Sequence, residues 1–148
     1  MNEVGFKLVN VSTEEFSLKE SLYHQNQDEV SLGFSIRFGA DPDAMIVGAF
    51  VEATFSKSQG PFLTAEVGCH FELSPDSWKK VFDSEAKVIT LPKAIGEHFC
   101  VITTGTLRGV LHAKTDYTHF KQYIFPTINL RQHFKKHIVI DLNDGKTP

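Results

Sequence analysis

The chain is expected to fold as an α+β domain. It should contain a four-stranded antiparallel meander sheet, with a long helix and a short C-terminal helix packed on one face. Three observations predict this. Apolar and polar residues alternate strictly through residues 30 to 73, the period of a half-buried strand. Short turn-rich clusters interrupt that alternation. After Leu73 the apolar spacing changes to three and four residues, which is helical. Strands followed by helices give an antiparallel sheet with helices segregated to one side.

The first strand covers residues 5 to 12, with a possible continuation through residues 16 to 22. The second places Val30, Leu32, Phe34, Ile36 and Phe38 on one face, and "ADPDA" then turns the chain. Met45, Val47, Ala49, Val51, Ala53 and Phe55 make the next apolar face, and "KSQGP" gives the next turn. Leu63, Ala65, Val67, Cys69, Phe71 and Leu73 complete the set. Such alternation buries one face of an antiparallel sheet and wets the other.

Ser74 is a suitable N-cap and Pro75 a suitable first helical residue, so "SPDSWKKVF" should form a short helix with Trp78 and Phe82 on one face. A crossing segment then reaches Pro92, which opens a long helix ending near Lys114. Leu91, Ile95, Phe99, Ile102, Val110 and Leu111 form its apolar stripe, and Cys100, Val101 and Leu107 a second side, so it should be buried on more than one side. Yet the helix carries Gly105, Gly109 and three threonines at 103, 104 and 106. Each glycine costs roughly 1 kcal/mol against alanine inside a helix. Their spacing of four lets another backbone approach closely. That neighbour is either a second copy of the helix, with Thr106 and both glycines in an oligomer interface, or the protein's own sheet. A final short helix is expected over residues 130 to 138, capped by Asn129 and Gln132, with a loose tail from about residue 140. The whole chain, residues 1 to 148, reads as one domain.

Composition excludes several classes. No apolar run is long enough for a membrane helix, and the N-terminus lacks the pattern of a signal peptide. Two cysteines make no disulfide framework and fit a reduced, cytoplasmic setting. Residues 1 to 100 carry 8 Lys/Arg against 15 Asp/Glu, whereas residues 101 to 148 carry 7 against 3. A basic third could contact nucleic acid. The cations are well spread, however, so plain solvation is the simpler account and nucleic acid a weak third reading.

Chemistry is sparse. His133 and His137 stand four apart on the expected last helix, but no further ligand lies at metal-binding spacing. Cys69 and His70 would point to opposite sheet faces. Cys100 reads as a small core residue, and "GTLRG" lies inside a helix rather than between strand and helix, so it cradles no phosphate. Glu52, Glu66 and Glu72 read as a solvated face. No catalytic group, metal or cofactor is expected.

The stretches "FCVITTGTLRG" and "FPTINLRQHF", set in this order of strands and helices, resemble the SecB-like family of protein-export chaperones. The resemblance implies a non-enzymatic chaperone that binds unfolded or partly folded polypeptide in an apolar groove. The client would be a preprotein for export through SecA, or a specific protein such as an antitoxin. It also implies a homo-oligomer, a dimer or dimer of dimers, and points to Trp78, Phe82 and Phe99 for client contact. A longer connection between Gly109 and Pro126 and a basic C-terminal third depart from SecB proteins and favour a specialised role. An interaction module in a toxin–antitoxin or phage setting, or a binder of a small apolar ligand, is the alternative.

Overall fold

The computed structural model describes residues 3–23 and 29–144. Seven strands and four α-helices follow in order: β1 (Phe6–Leu18), α1 (Glu20–Tyr23), β2 (Ser31–Asp41), β3 (Ile46–Lys57), β4 (Gly60–Leu73), α2 (Pro75–Val81), β5 (Phe82–Asp83), β6 (Val88–Leu91), α3 (Lys93–Thr115), α4 (Leu130–His133) and β7 (Ile138–Asp141). Short 3₁₀ turns lie at His119–Gln122 and Leu142–Asp144. The architecture is α+β, as expected.

Strands β2, β3 and β4 form the meander that the alternation predicts, with Phe34 opposite Ala53, Ile36 opposite Val51 and Val51 opposite Val67. The fourth strand is not in meander order. The sheet runs β1-β4-β3-β2, so β1 joins the far edge beside β4. It is also longer than expected, one strand of 13 residues. Two bulges explain why. Register shifts fall between Leu8 and Asn10 and between Thr13 and Glu15. Each adds one residue and flips the face that follows. Residues opposite inward positions of β4 are therefore Phe6, Leu8, Val11, Thr13, Phe16 and Leu18, a spacing that strict alternation does not reveal.

A second sheet, in the order β5-β6-β7, was not anticipated. The expected crossing segment is a tight hairpin that buries Ile89 and Leu91. The expected final helix ends after one turn, because residues 138 to 141 pair with β6 instead, Ile140 opposite Ile89. The tail is thus ordered in part, and residues 145–148 lie outside the described region.

Helix α3 lies on the main sheet over β3 and β4. Phe99 stacks flat on Phe71, with centroids 3.9 Å apart. Thr103 Oγ1 reaches the Ala49 carbonyl at 3.5 Å, and Leu107 and Leu111 are buried in the cluster around Val51 and Val67. Gly96 admits Ile138, whose Cδ1 lies where a Cβ would stand. The segment after α3 crosses back over β2. There Phe125 meets Phe34 edge-on, and Phe134 lies tilted over Phe38. Arg108 holds this connector to the helix by donating to the carbonyls of Phe125 (2.7 Å) and Pro126 (3.0 Å).

The outer face of the sheet also holds an unexpected aromatic. Phe50 lies over Gly48 and Gly68 and is capped by the Arg37 guanidinium 4.0 Å above its ring. Arg37 is fixed in turn by Glu66 at 3.2 Å. Burial, then Glu66 and Glu15, pushes the Glu52 carboxyl upward. A Cβ at Gly68 would stand 2.5 Å from the Phe50 ring, whereas nothing lies within 4 Å of one at Gly33. Gly68→Ala should therefore cost about 1–3 kcal/mol. Gly33→Ala should be neutral or mildly stabilising, since strand glycine is a poor choice. Thermal melts of the two variants check this.

Candidate functional site

The threonines of α3 separate into two kinds. Thr103, Thr106 and Thr115 each donate to the carbonyl four residues back, at 2.8, 2.9 and 2.7 Å. Such back-bonding satisfies a hydroxyl inside an apolar layer. Thr104 does otherwise. It is 4% exposed, and its Oγ1 has no hydrogen-bond partner. Glu97 Oε1 is the other buried side-chain oxygen without one among the described residues, with only Lys93 Nζ at 4.0 Å. Both belong to the flank of α3 that faces the connector.

A groove runs along that flank. Three adjoining cavities of about 460, 120 and 230 Å³ follow the helix from Ala94 to His112. The helix contributes Glu97, Val101, Thr104 and Arg108, and the connector contributes Ile124, Ile128 and Leu130. Val101 is 55% exposed and Ile124 62%. The groove is therefore a channel of mixed lining, with His98, Asn129 and Arg131 at one end beside the apolar residues, and Glu97 and Thr104 stand seven residues or about 10 Å apart along the helix.

Beside it, the outward ridge of α3 carries Ala94, His98, Val101, Gly105 and Gly109, all exposed. Nothing lies within 4 Å of a Cβ built on either glycine. Close packing of these glycines on the protein's own sheet is thus excluded. Thr106 is not on this ridge. It is half-buried and accepts from the Cys69 thiol at 3.6 Å, so it belongs to the helix–sheet contact.

Of the three aromatic residues singled out in the sequence, Phe99 and Trp78 are core residues and Phe82 is half-buried against the core. Phe99 is 0% exposed beneath the helix, closed to any partner in this fold. Trp78 is buried against Phe82, 5.1 Å between centroids, and both pack into the cluster that holds Ile89 and Leu91. They do not share a helical face as expected, because α2 ends at Val81 and Phe82 is extended and begins β5. The groove escaped sequence reading because its far wall is an irregular connector without periodicity. The only signal was an uncharged helix carrying more threonine than its propensity favours.

Groups with chemical potential are dispersed. The helix ends at His133, so His137 does not share its face. His137 Nδ1 instead accepts from the Lys93 backbone N–H at 3.3 Å. Among the described residues no group of three His, Cys, Asp or Glu could hold a metal. Burial pushes the Cys100 thiol up to about 12, far from thiolate at neutral pH. Burial and the hydrogen bond it donates to Tyr23 also raise the Tyr123 hydroxyl. Among the described residues no helix is long and apolar enough to cross a membrane. The basic residues do not converge: Lys121 pairs with Asp116 at 3.5 Å, and Lys114 lies over Phe16.

No protein-family model and no curated relative matches the chain. Among solved structures, the fold is similar to that of a SecB-like chaperone of Mycobacterium tuberculosis, solved in complex with a ChAD peptide from the HigA1 antitoxin. The similarity has a TM-score of 0.44 and 10% identity, over 84% of this chain and 91% of that one.

A buried hydroxyl with no partner costs roughly 1–3 kcal/mol. Thr104→Val keeps the shape and removes the hydroxyl, so it should raise stability by about 1 kcal/mol, or about 3 °C in Tm. A lowered Tm would show that the hydroxyl is already satisfied.

Proposed function

We propose that the protein is a non-catalytic, chaperone-type polypeptide-binding protein that takes apolar segments of unfolded or partly folded chains in the groove beside α3. The observation that carries this is a groove of mixed lining in which Thr104 Oγ1 has no hydrogen-bond partner and Glu97 Oε1 has only a distant ion pair, 4.0 Å from Lys93 Nζ. A peptide backbone supplies the missing hydrogen-bonding groups in every residue. Three residues of extended chain span about 10 Å, matching two helical turns. Side chains between them would rest on Val101, Ile128 and Leu130. Main-chain bonding with apolar contact binds without reading sequence in detail, which suits an unfolded client. The resemblance in sequence suggests a preprotein or an antitoxin as that client.

The exposed glycine ridge supports a homo-oligomer. Two copies of α3 crossing at Gly105 and Gly109 would bring their backbones close and offset the helix-propensity penalty of both residues.

Thr104→Val should weaken binding of an extended apolar peptide about fivefold, as loss of one hydrogen bond of about 1 kcal/mol implies, while the protein melts no lower. Val101→Asp should reduce suppression of aggregation of a reduced, unfolded test protein with the fold intact. Full binding by both variants would remove the groove from the account. For the ridge, Gly105→Ala combined with Gly109→Ala should shift sedimentation toward smaller species with unchanged circular dichroism. Unchanged assembly together with a higher Tm would leave the ridge as a bare solvent face.

A further inference from the structure

The chain has a net charge of −3, yet the groove beside α3 is lined mainly by basic groups. His98 and Arg131 line the cavity at its Ala94 end, and Arg108 and His112 line the cavity at the other end. Glu97 is the one carboxylate among the described lining residues, and Lys93 Nζ stands 4.0 Å from it. None of the four basic side chains pairs with a carboxylate among the described residues. Arg108 directs Nε and Nη2 to backbone carbonyls, which hold it in place without cancelling its charge. The first turn of α3 carries no acidic side chain, so the helix dipole adds partial positive charge at the Ala94 end.

The spacing of these groups describes a ligand. His98 and His112 stand fourteen residues apart, about 21 Å along the helix. An extended chain covers that length in about six residues. Between the two ends the walls carry Val101, Ile128 and Leu130, with the Thr104 hydroxyl among them. A segment that matches has a carboxylate at each end and about four residues, mostly apolar, between them. Single-stranded nucleic acid fits less well, because it needs rings for stacking and a continuous cationic track, and the middle of the groove offers neither. The outer face of the sheet, where Glu15, Glu66 and Glu52 stand side by side on three strands, repels the same acidic segment.

We propose that the groove selects apolar segments flanked by acidic residues, with Arg131 and Arg108 as the specificity-determining cations at its two ends. The proposal rests on the reading of this groove as the polypeptide site and adds which polypeptides it takes. The cations act on choice more than on overall affinity: a segment with the same apolar core and basic flanks is repelled at both ends.

Three synthetic peptides that share one apolar core and carry Asp, Asn or Lys at both flanks test this, with binding to the full chain read by fluorescence polarisation at low salt. An exposed ion pair contributes up to about fivefold in affinity, so the Asp-flanked peptide should bind about tenfold tighter than the Asn-flanked one, and the Lys-flanked one more weakly than either. The difference should shrink in about 1 M salt, where charges are screened within about 3 Å. Arg131 is exposed, so Arg131→Glu should melt as the wild type does. It should cut the preference for Asp over Lys flanks about tenfold, since one end turns from attraction to repulsion, and Arg131→Lys should keep the preference. Equal binding of the three peptides, with Val101→Asp weakening all of them, overturns the selectivity and leaves the groove as the binding site. Binding of none of them overturns the groove reading and this proposal together. A preference for Asp flanks undiminished by Arg131→Glu, or tighter binding of a single-stranded oligonucleotide than of any peptide, also overturns the proposal.

Discussion

One helix is too narrow for a four-stranded sheet. An α-helix with its side chains is about 10–12 Å across, and strands are spaced about 4.8 Å apart, so a helix covers little more than two of them. In this protein α3 lies over β3 and β4, where Phe99 stacks on Phe71 and Leu107 and Leu111 fill the space above Val51 and Val67. The inner faces of β1 and β2 need other cover. The rest of the molecule is organised around how each receives it.

On the β2 side the cover is irregular chain. The connector carries Phe125 and Leu130 into the core, and Arg108 ties it to α3 through two backbone carbonyls. Irregular backbone does not interlock with a helix as another helix would, and a groove remains between them. Thr104 Oγ1 has no hydrogen-bond partner there, and Glu97 Oε1 has only Lys93 Nζ at 4.0 Å. Isolated folding stability would favour apolar residues at such positions. Polar atoms kept there at a loss are the usual mark of a surface shaped for something other than its own chain. On the β1 side the cover is partial: Phe6 packs edge-on against Phe99 of α3, while Leu8 and Val11 stay half-exposed.

The parts of the fold legible in sequence were those with an unbroken period. Strands β2 to β4 and the long helix follow from alternation and from a stripe at helical spacing. Strand β1 was only half legible, because two bulges shift its phase and leave spacings of two and three that resemble no single period. Strand β7 was read as the last residue of a helix followed by a loose tail, since so short an apolar run fits either period and its pairing depends on β6, about 50 positions earlier. Phe50 was invisible as a buried residue because its position belongs to the solvated face, where the facing glycines, Arg37 and His70 enclose it. Of the proposed site, sequence reading singled out the helix but named residues that the fold buries. Trp78, Phe82 and Phe99 are apolar enough to bind a client, and for the same reason the fold keeps them. Thr104 looks like its neighbouring threonines until the bonds they make are compared.

Amide hydrogen exchange, with and without a saturating amount of a reduced, permanently unfolded test protein, tests the groove most directly. The connector is held to the sheet by side chains and to α3 by two bonds from Arg108 to its carbonyls, so its amides should exchange rapidly in the free protein. Binding in the groove should slow exchange over residues 124–131 and leave the β3 and β4 amides as they were. Complex formation that leaves residues 124–131 unchanged, with protection confined to another surface, would contradict the assignment of this groove as the polypeptide-binding site.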